Sequence, residues 1–223
     1  MRFRDRHQAG ALLARALVPY LESPAIVYAL PRGGVPVAAE VARRFKLPLD
    51  LVIARKIGHP WRPEYAIGAV TETGTAVFNE EERASLDPAW VEKTVAAERA
   101  EARRRRERYR AGRERTSAAG RCAILVDDGI ATGLTLRAAV AEVRADRPAR
   151  LIVAVPVAPR ETARDFAGLA DRFVAVLVPD EFMGAVGAYY EDFRQIGDQE
   201  VIEELARCAR NAVAARAGAR GKP

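Results

Sequence analysis

Short apolar runs alternate with helical patterns along this chain, and this alternation constrains the fold more than any other feature of the sequence. Each run has the length of a buried strand. Strands that are joined through helices pair in parallel, with right-handed crossovers. We therefore predict an α/β protein with a mostly parallel sheet flanked by helices. The predicted strands are residues 25–30, 49–54, 122–126, 151–157 and 173–178.

Helical patterns occupy most of the segments between these strands. Residues 80–115 are predicted to be helical with one break, because Asp87 can cap a helix whose first residue is Pro88. Residues 66–70 and 75–79 can pair as a hairpin. Further helices are predicted at residues 6–21, 133–144, 161–169 and 198–215, together with a short helix that ends at residue 45.

Composition and the N-terminal residues indicate a folded protein without a membrane segment. Hydrophobic residues make up 49% and charged residues 30% of the chain, a balance typical of globular rather than disordered proteins. No apolar run approaches the ~18 residues that a membrane-spanning helix needs. The N-terminal residues lack an apolar signal core, and Cys122 and Cys208 match no disulfide or metal spacing. We expect a cytoplasmic protein without a membrane partner.

The positive charge is concentrated in one segment. The formal net charge is +6, and residues 98–115 alone contain nine arginines against four glutamates. A basic face can bind nucleic acid or another partner, whereas glutamates interspersed among arginines are typical of a solvated, salt-bridged helix. The interspersed glutamates favour the second interpretation, so we do not expect a nucleic acid partner.

The most informative stretch is residues 123–135, which read Ala-Ile-Leu-Val-Asp-Asp-Gly-Ile-Ala-Thr-Gly-Leu-Thr. An apolar strand ends at Asp127 and Asp128, a turn of small residues follows, and a helix is predicted to begin at Gly133. The free N–H groups and the positive dipole of a helix start suit a phosphate group. The two carboxylates can accept hydrogen bonds from sugar hydroxyls of the same ligand. The alternative is an ordinary strand–turn–helix in which the carboxylates face water and Thr132 caps the helix.

A second turn with anion-binding character follows the first predicted strand and reads Pro-Arg-Gly-Gly-Val-Pro. Gly33 and Gly34 allow backbone conformations that other residues avoid, and Arg32 offers a guanidinium that can hold an anion through two hydrogen bonds. The alternative is a tight turn selected only for compactness. Arg55 and Lys56 end the next predicted strand and supply further positive charge, although a solvated strand end would look the same.

Residues 124–135 resemble the motif that binds 5-phosphoribosyl 1-diphosphate in the type I phosphoribosyltransferases. The resemblance implies a single domain over residues 1–223 with a five-stranded core and a long Arg-rich helical insertion at about 80–116. It also implies a small hood, formed by about 180–197 with N-terminal elements. The implied reaction is Mg²⁺-dependent transfer of ribose 5-phosphate from this diphosphate to a nitrogenous, purine-like base, with release of diphosphate. The alternative is a non-catalytic regulator that senses the same diphosphate and binds nucleic acid through its basic helix; either protein could be a homodimer.

The resemblance also assigns roles to individual residues. Asp127 and Asp128 would hold the ribose hydroxyls and, through substrate or water, a Mg²⁺ ion. Arg32 and Lys56 would neutralise the leaving diphosphate, so these four residues are the predicted catalytic residues. A loop at residues 58–74 would close over the site as a lid. The predicted substrate-binding residues are Gly33, Gly34, Arg55, Ala131, Thr132, Gly133, Leu134, Thr135 and Phe182.

The stretch after the last predicted strand resembles part of an acceptor site. Residues 179–182, Pro-Asp-Glu-Phe, are similar to the purine-binding loop of the hypoxanthine-guanine phosphoribosyltransferases. Phe182 would stack on a flat base, and Glu191 or Asp192 would lie near a metal-bound water. The alternative is that Phe182 only covers the edge of the core. The chain carries Ala131 where those enzymes have an aspartate, and it lacks their lysine that reads the purine oxygen. The second substrate is therefore predicted to be a heterocyclic base whose identity is left open.

Overall fold

The protein folds around two β-sheets. In the computed structural model the backbone is described for residues 1–220 and the side chains for residues 1–210. The strands are β1 (Ala25–Ala29), β2 (Leu49–Leu51), β3 (Ala54–His59), β4 (Arg62–Thr71), β5 (Ala76–Phe78), β6 (Cys122–Val126), β7 (Arg150–Val157) and β8 (Arg172–Leu177). The helices are α1 (Arg6–Leu17), α2 (Gly34–Phe45), α3 (Glu80–Ala84), α4 (Pro88–Arg110), α5 (Leu134–Ala145), α6 (Arg160–Leu169) and α7 (Asp198–Arg220).

The larger sheet has five parallel strands in the order β2-β1-β6-β7-β8. β1 and β6 are buried along their whole length, and apolar clusters cover both faces of the sheet. Strands that are buried on both faces form continuous apolar runs in the sequence. The predicted α/β fold with a five-stranded parallel sheet is confirmed. Because the strands are parallel, their carboxyl ends lie at one edge, where ligands bind in open α/β sheets.

The second strand differs from its prediction. The sequence predicts one strand over residues 49–54 that ends at Arg55 and Lys56, but β2 ends at Leu51 and both basic residues lie inside β3. The chain leaves the large sheet after β2 and pairs with β4 in an antiparallel sheet of order β3-β4-β5. Arg55 and Lys56 therefore belong to the antiparallel sheet and do not end a strand of the parallel sheet.

Residues 58–74, the segment predicted to act as a lid, form a β-hairpin rather than an irregular loop. β3 and β4 pair up to the tip, where Trp61 is 79% exposed. The second half of β4 is buried because α4 and α5 both pack against this small sheet. The predicted pairing of residues 66–70 with residues 75–79 is confirmed as the β4–β5 ladder.

The predicted break in the long helical region is confirmed, but the second helix ends at Arg110 rather than at residue 115. Asp87 caps α4 by accepting a hydrogen bond from Ala89 N at 3.0 Å, and Pro88 is the first residue of the helix. Each of the nine arginines in residues 98–115 contacts a carboxylate or a backbone carbonyl of the described chain. The positive charge of this segment is therefore largely engaged within the fold.

The first helix is shorter than the predicted residues 6–21. α1 ends at Leu17, and Val18–Tyr20 continue as a single 3₁₀ turn. Pro19 accounts for the difference, because proline has no N–H to donate and its ring disfavours a continuing α-helix. No helix of the described residues is long and apolar enough to cross a membrane.

The N-terminal residues pair with the segment that follows β8. Phe3 N donates to Tyr189 O at 2.7 Å, and Glu191 N donates to Phe3 O at 2.8 Å. The rings of Phe3 and Tyr190 pack with their centroids 5.3 Å apart, in a cluster that includes Val157 at the end of β7. These contacts place both segments at the carboxyl edge of the large sheet.

Arg110 links α4 to both sheets through buried ion pairs, and its removal should destabilise the fold. Arg110 Nη1 lies 2.6 Å from Glu72 Oε1, and these residues are 3% and 2% exposed. We expect Arg110→Met to lower the free energy of unfolding by about 3 to 5 kcal/mol, because it leaves the carboxylate of Glu72 buried without a cation. Urea unfolding followed by circular dichroism measures the loss.

Arg104→Met is the matched control on the same helix. The Arg104 side chain is exposed and pairs with Glu101 one turn away, so we expect a loss below about 1 kcal/mol. Equal losses for the Arg104 and Arg110 variants would contradict the importance of the buried pair.

Candidate active site

The turns after β1 and β6 lie side by side at the carboxyl edge of the large sheet. β1 and β6 are neighbours, and Leu30 N donates to Val126 O at 3.0 Å just beyond the end of β1. A Cβ atom on Gly33 would overlap Asp128 Oδ2, and one on Gly34 would lie 2.9 Å from Val126 O. Both glycines are therefore required by the close approach of the two turns. The structure brings the Arg-Gly-Gly turn and the paired carboxylates together.

The two carboxylates differ in their partners. Asp127 Oδ1 accepts a hydrogen bond from Asp128 N at 2.9 Å, whereas Asp128 Oδ2 forms an ion pair with Arg6 at 2.8 Å. Burial raises the pKa of Asp127 well above its ordinary value, and the neighbouring charge of Asp128 adds to the rise. Burial also raises the pKa of Asp128, but Arg6 opposes that rise. The pair therefore retains a proton more readily on Asp127 than on Asp128.

The acidic turn is covered by the segment after β8. Tyr190 donates its hydroxyl hydrogen to the backbone carbonyl of Asp128 at 2.6 Å. Gly129 has a φ of +155°, and a Cβ atom there would clash with the side chain of Val186. This segment and the turn after β6 are therefore packed tightly against each other.

The helix after the acidic turn begins without a side-chain cap. Gly133 is the N-cap of α5 with a φ of +77°, and none of the described side chains accepts a hydrogen bond from the N–H groups of the first turn. Arg137 N makes the first bond into this turn, to Gly133 O at 2.8 Å, so the preceding N–H groups lack helical acceptors. Ala131 and Thr132 are exposed beside these groups. Thr132 is therefore not the helix cap, and the α5 start can receive an anion.

Helix α6 packs against the turn that precedes α5 and restricts its shape. Thr162 donates its hydroxyl hydrogen to Ala131 O at 3.1 Å. A Cβ atom on Gly133 would lie 2.8 Å from the ring of Phe166. Leu134 and Thr135 follow as the first residues of α5, with partly buried side chains.

Arg32 extends from its turn toward the start of α7. Its Nη1 lies 3.6 Å from Asp198 Oδ1, and the side chain is 29% exposed. Asp198 also accepts a hydrogen bond from Tyr109 at 2.6 Å and forms an ion pair with Arg108 at 2.6 Å. The Tyr109 hydroxyl, as the largest cause, holds the pKa of Asp198 below its usual value. The Asp198 carboxylate is therefore charged and orients Arg32.

Arg55 and Lys56 make their contacts away from the two turns. Arg55 Nε lies 2.8 Å from Glu98 Oε2 on α4. Lys56 Nζ lies 3.2 Å from Glu64 Oε2, across the hairpin. Within residues 1–210 the structure does not join either side chain to the carboxylate pair or to Arg32. Their contact with the diphosphate stays a prediction.

The predicted acceptor residues lie in the segment after β8. The ring of Phe182 stacks on Tyr189 with centroids 5.3 Å apart, which leaves the side chain half-buried. Glu191 is exposed, and its N–H donates to Phe3 O. Within the described residues, no three His, Cys, Asp or Glu side chains converge as a metal site.

The sequence does not predict two residues that contact Asp128 in the structure, Arg6 and Tyr190. Arg6 is separated from Asp128 by 122 positions, and Tyr190 by 62. Neither carries a local pattern, since an arginine at a helix start and a tyrosine in an irregular segment are both common. Only the folded chain brings them to the carboxylate.

Comparison with known proteins decides the family. The family described as "Phosphoribosyl transferase domain" matches residues 5–185 of the chain. The chain belongs to this family. The match includes both turns and all eight strands, so the predicted resemblance to the type I phosphoribosyltransferases is confirmed.

Two curated proteins and one crystal structure are similar to this chain. Two Mycobacterium tuberculosis proteins, from strains CDC 1551 and H37Rv, carry the name "putative phosphoribosyl transferase" and are 42% identical over 211 residues. These matches cover 94% of this chain and 47% of each relative, so the chain spans about half the length of the curated relatives. The crystal structure of TT1426 from Thermus thermophilus is 47% identical, with a TM-score of 0.78, and the match covers 93% of this chain and 99% of that one.

The two neighbouring carboxylates should respond to substitution in opposite directions. We expect Asp127→Asn to raise the free energy of unfolding at pH 7 by about 1 to 2 kcal/mol, because a neutral amide replaces a carboxyl group whose ionisation is disfavoured by burial. Asp128→Asn should lower it by about 3 kcal/mol, because Arg6 then lies buried without its partner. Urea unfolding of the wild-type protein and both variants measures these changes.

The pH dependence provides the internal check of this prediction. The folded protein holds a proton on Asp127 to higher pH than the unfolded chain, whose carboxyl has a pKa near 3.8. Wild-type stability should therefore fall as pH rises from that value through the raised pKa of Asp127. Asp127→Asn should remove this part of the slope. An unchanged slope would contradict the assignment of the proton to Asp127.

Proposed function

We propose that the protein transfers ribose 5-phosphate from 5-phosphoribosyl 1-diphosphate to a nitrogen of a heterocyclic base and releases diphosphate. The observation that carries this proposal is the contact between the two turns. Gly33 packs against Asp128 at the carboxyl edge of the sheet. An anion-binding turn and a sugar-binding carboxylate that share one edge can hold the two ends of a single activated sugar phosphate.

The turn after β6 would hold the sugar phosphate end. The free N–H groups at the start of α5 receive the 5-phosphate, with the hydroxyls of Thr132 and Thr135 as additional donors. Asp127 and Asp128 accept hydrogen bonds from the ribose hydroxyls. The small residues of the turn support this role because they let the phosphate approach the backbone.

The turn after β1 would hold the diphosphate. Gly33 and Gly34 allow the diphosphate to approach the backbone, and Arg32 neutralises negative charge as the bond to the anomeric carbon breaks. This bond cleavage leaves positive charge on the sugar, which the Asp128 carboxylate stabilises, while Asp127 helps to hold the ribose hydroxyls. Holding both ends of the sugar phosphate lowers the activation free energy further, because the translational and rotational entropy of the reactants is lost on binding rather than in the reaction step.

Arg55 and Lys56 would join the site when the hairpin moves. The pair of Lys56 with Glu64 is exposed, and exposed pairs contribute at most about 1 kcal/mol. Lys56 can therefore exchange Glu64 for the diphosphate at little energetic cost. A hairpin that closes in this way would also exclude water from the reactive sugar.

Magnesium would enter with the substrate. Asp127, Asp128 and Glu191 offer the hard oxygen atoms that Mg²⁺ prefers, but they do not form a protein cage within the described residues. These donors fit an ion that is bound mainly by diphosphate and ribose oxygens and contacts the protein through substrate or water. When bound, Mg²⁺ supplies charge neutralisation of the leaving diphosphate.

The segment after β8 would receive the base. Phe182 offers one ring for stacking beside Tyr189, which suits a flat, purine-like heterocycle. A non-catalytic regulator with the same diphosphate site would bind the sugar phosphate and release no diphosphate.

Binding of 5-phosphoribosyl 1-diphosphate with Mg²⁺, measured by calorimetry, tests the site. We expect Asp128→Ala and Thr135→Ala each to weaken binding by about tenfold or more, because each removes hydrogen bonds to a charged or hydroxyl group of the ligand. Gly33→Ala should do the same by displacing the Asp128 carboxylate. Gly168→Ala is the matched control, since nothing lies within 4 Å of its added methyl group.

Unchanged affinity in the site variants would overturn the assignment. Diphosphate release across a panel of purines, pyrimidines and other heterocyclic bases then separates the enzyme from the regulator. We expect release with at least one base and loss of that release in Arg32→Gln. Binding without release for every base would favour the regulator.

A further inference from the structure

Arg6 occupies an unusual position for an arginine at the beginning of a helix. It is the first residue of α1, and Asp5 caps that helix by accepting from Gln8 N. A positive charge in the first turn of a helix is unfavourable, because the helix dipole places partial positive charge at that end. Arg6 is only 7% exposed, and its side chain enters the edge of the sheet where the two turns meet.

Each nitrogen of the Arg6 guanidinium has a partner. Nε and Nη2 both lie 2.8 Å from Asp128 Oδ2, and Nη1 donates to Arg194 O at 2.8 Å. The guanidinium carbon lies 3.9 Å from the centroid of the Phe193 ring. A planar guanidinium with hydrogen bonds on two sides and an aromatic ring on one face has little freedom to rotate.

These contacts determine which oxygen of Asp128 can meet a ligand. Arg6 engages Oδ2, which is also the atom that a Cβ on Gly33 would meet first. Oδ1 is left as the acceptor for a hydroxyl group. Rotation of the carboxylate plane about the Cβ–Cγ bond would change the direction in which Oδ1 points, and the two hydrogen bonds from Arg6 to Oδ2 resist that rotation.

Arg6 also connects the carboxylate to the segment after β8. That segment contacts Arg6 through Phe193 and Arg194 O, and it contacts the Asp128 backbone through the hydroxyl of Tyr190. The charged groups facing Asp128 are thus Arg6 from α1 and Asp127 from its own turn, with the Tyr190 hydroxyl from the third element.

We propose that Arg6 is a positioning residue that fixes the Asp128 carboxylate, through two hydrogen bonds to Oδ2, in the orientation that receives a ribose hydroxyl. The proposal rests on the proposed function, because it takes Asp128 as the acceptor of that hydroxyl. It assigns to Arg6 no contact with the substrate. Its effect should therefore be confined to ligands that contain the ribose.

Calorimetry with three probes separates a positioning role from a purely structural one. The probes are 5-phosphoribosyl 1-diphosphate, ribose 5-phosphate and inorganic diphosphate, each with Mg²⁺. We expect Arg6→Gln to weaken both ribose ligands by about tenfold to a hundredfold, because small displacements of a binding group have effects of that size. Inorganic diphosphate, held by the turn after β1, should bind as it does to the wild-type protein.

Two further variants control for folding and for charge. Arg6→Lys keeps one cation beside Asp128 and should recover part of the lost affinity, and it serves if Arg6→Gln does not fold. Arg4→Gln removes an arginine of the same segment whose side chain is 69% exposed and, among residues 1–210, forms its ion pair with Asp5, so this variant should bind all three probes normally. A cycle with Asp128→Asn should show that the effects of Arg6→Gln and Asp128→Asn on ribose ligands are not additive.

The outcomes distinguish this proposal from the proposed function. If Arg6→Gln binds ribose ligands as the wild-type protein does, or weakens inorganic diphosphate equally, the positioning role is overturned while the proposed function stands. If the wild-type protein binds 5-phosphoribosyl 1-diphosphate no better than inorganic diphosphate, the ribose site itself is wrong and both proposals fail.

Discussion

The contact of the glycine turn with the paired carboxylates is the constraint on which the site depends. Asp128 lies against the backbone of Gly33, and Gly34 lies against the end of β6. Any side chain at either glycine would separate the turns. The contact exists because β1 and β6 are parallel neighbours, so their carboxyl ends emerge together. A single edge of the sheet therefore carries both an anion-binding turn and an acidic turn.

Bringing two carboxylates to this edge is unfavourable without compensation, and the structure distributes that compensation over distant segments. Arg6 supplies a cation to Asp128, while burial, and after it the charge of Asp128, raises the pKa of Asp127 so that it retains its proton more readily. Tyr190 satisfies the carbonyl of Asp128. The N-terminal helix and the segment after β8 thus stabilise the same turn. Because burial makes both carboxyl groups costly to ionise, a ligand that donates hydrogen bonds to them would lower that cost.

The charges of α4 are paired in a similar way. The arginines of α4 contact carboxylates and carbonyls of the described chain, and Arg110 lies buried between Asp50 and Glu72. Much of the positive charge of residues 98–115 is therefore engaged in contacts within the described fold. Asp198 joins this network to the site, because it pairs with Arg108 and orients Arg32.

Features that depend on neighbouring residues could be predicted from the sequence, whereas contacts between distant residues could not. The acidic turn, the start of α5 and the break before Pro88 depend on neighbouring residues, and their strand, helix and cap patterns are visible in the sequence. The position of Arg55 and Lys56 could not be predicted, since it depends on whether the chain stays in the large sheet or pairs with β4. Arg6 and Tyr190 could not be predicted either, because their partner is distant in the sequence. Hydrogen–deuterium exchange of the backbone amides, with and without 5-phosphoribosyl 1-diphosphate and Mg²⁺, tests whether the turns after β1 and β6 hold one ligand between them. We expect both turns to gain protection together at the same ligand concentration. Protection of only one turn, or of neither, would contradict a shared site.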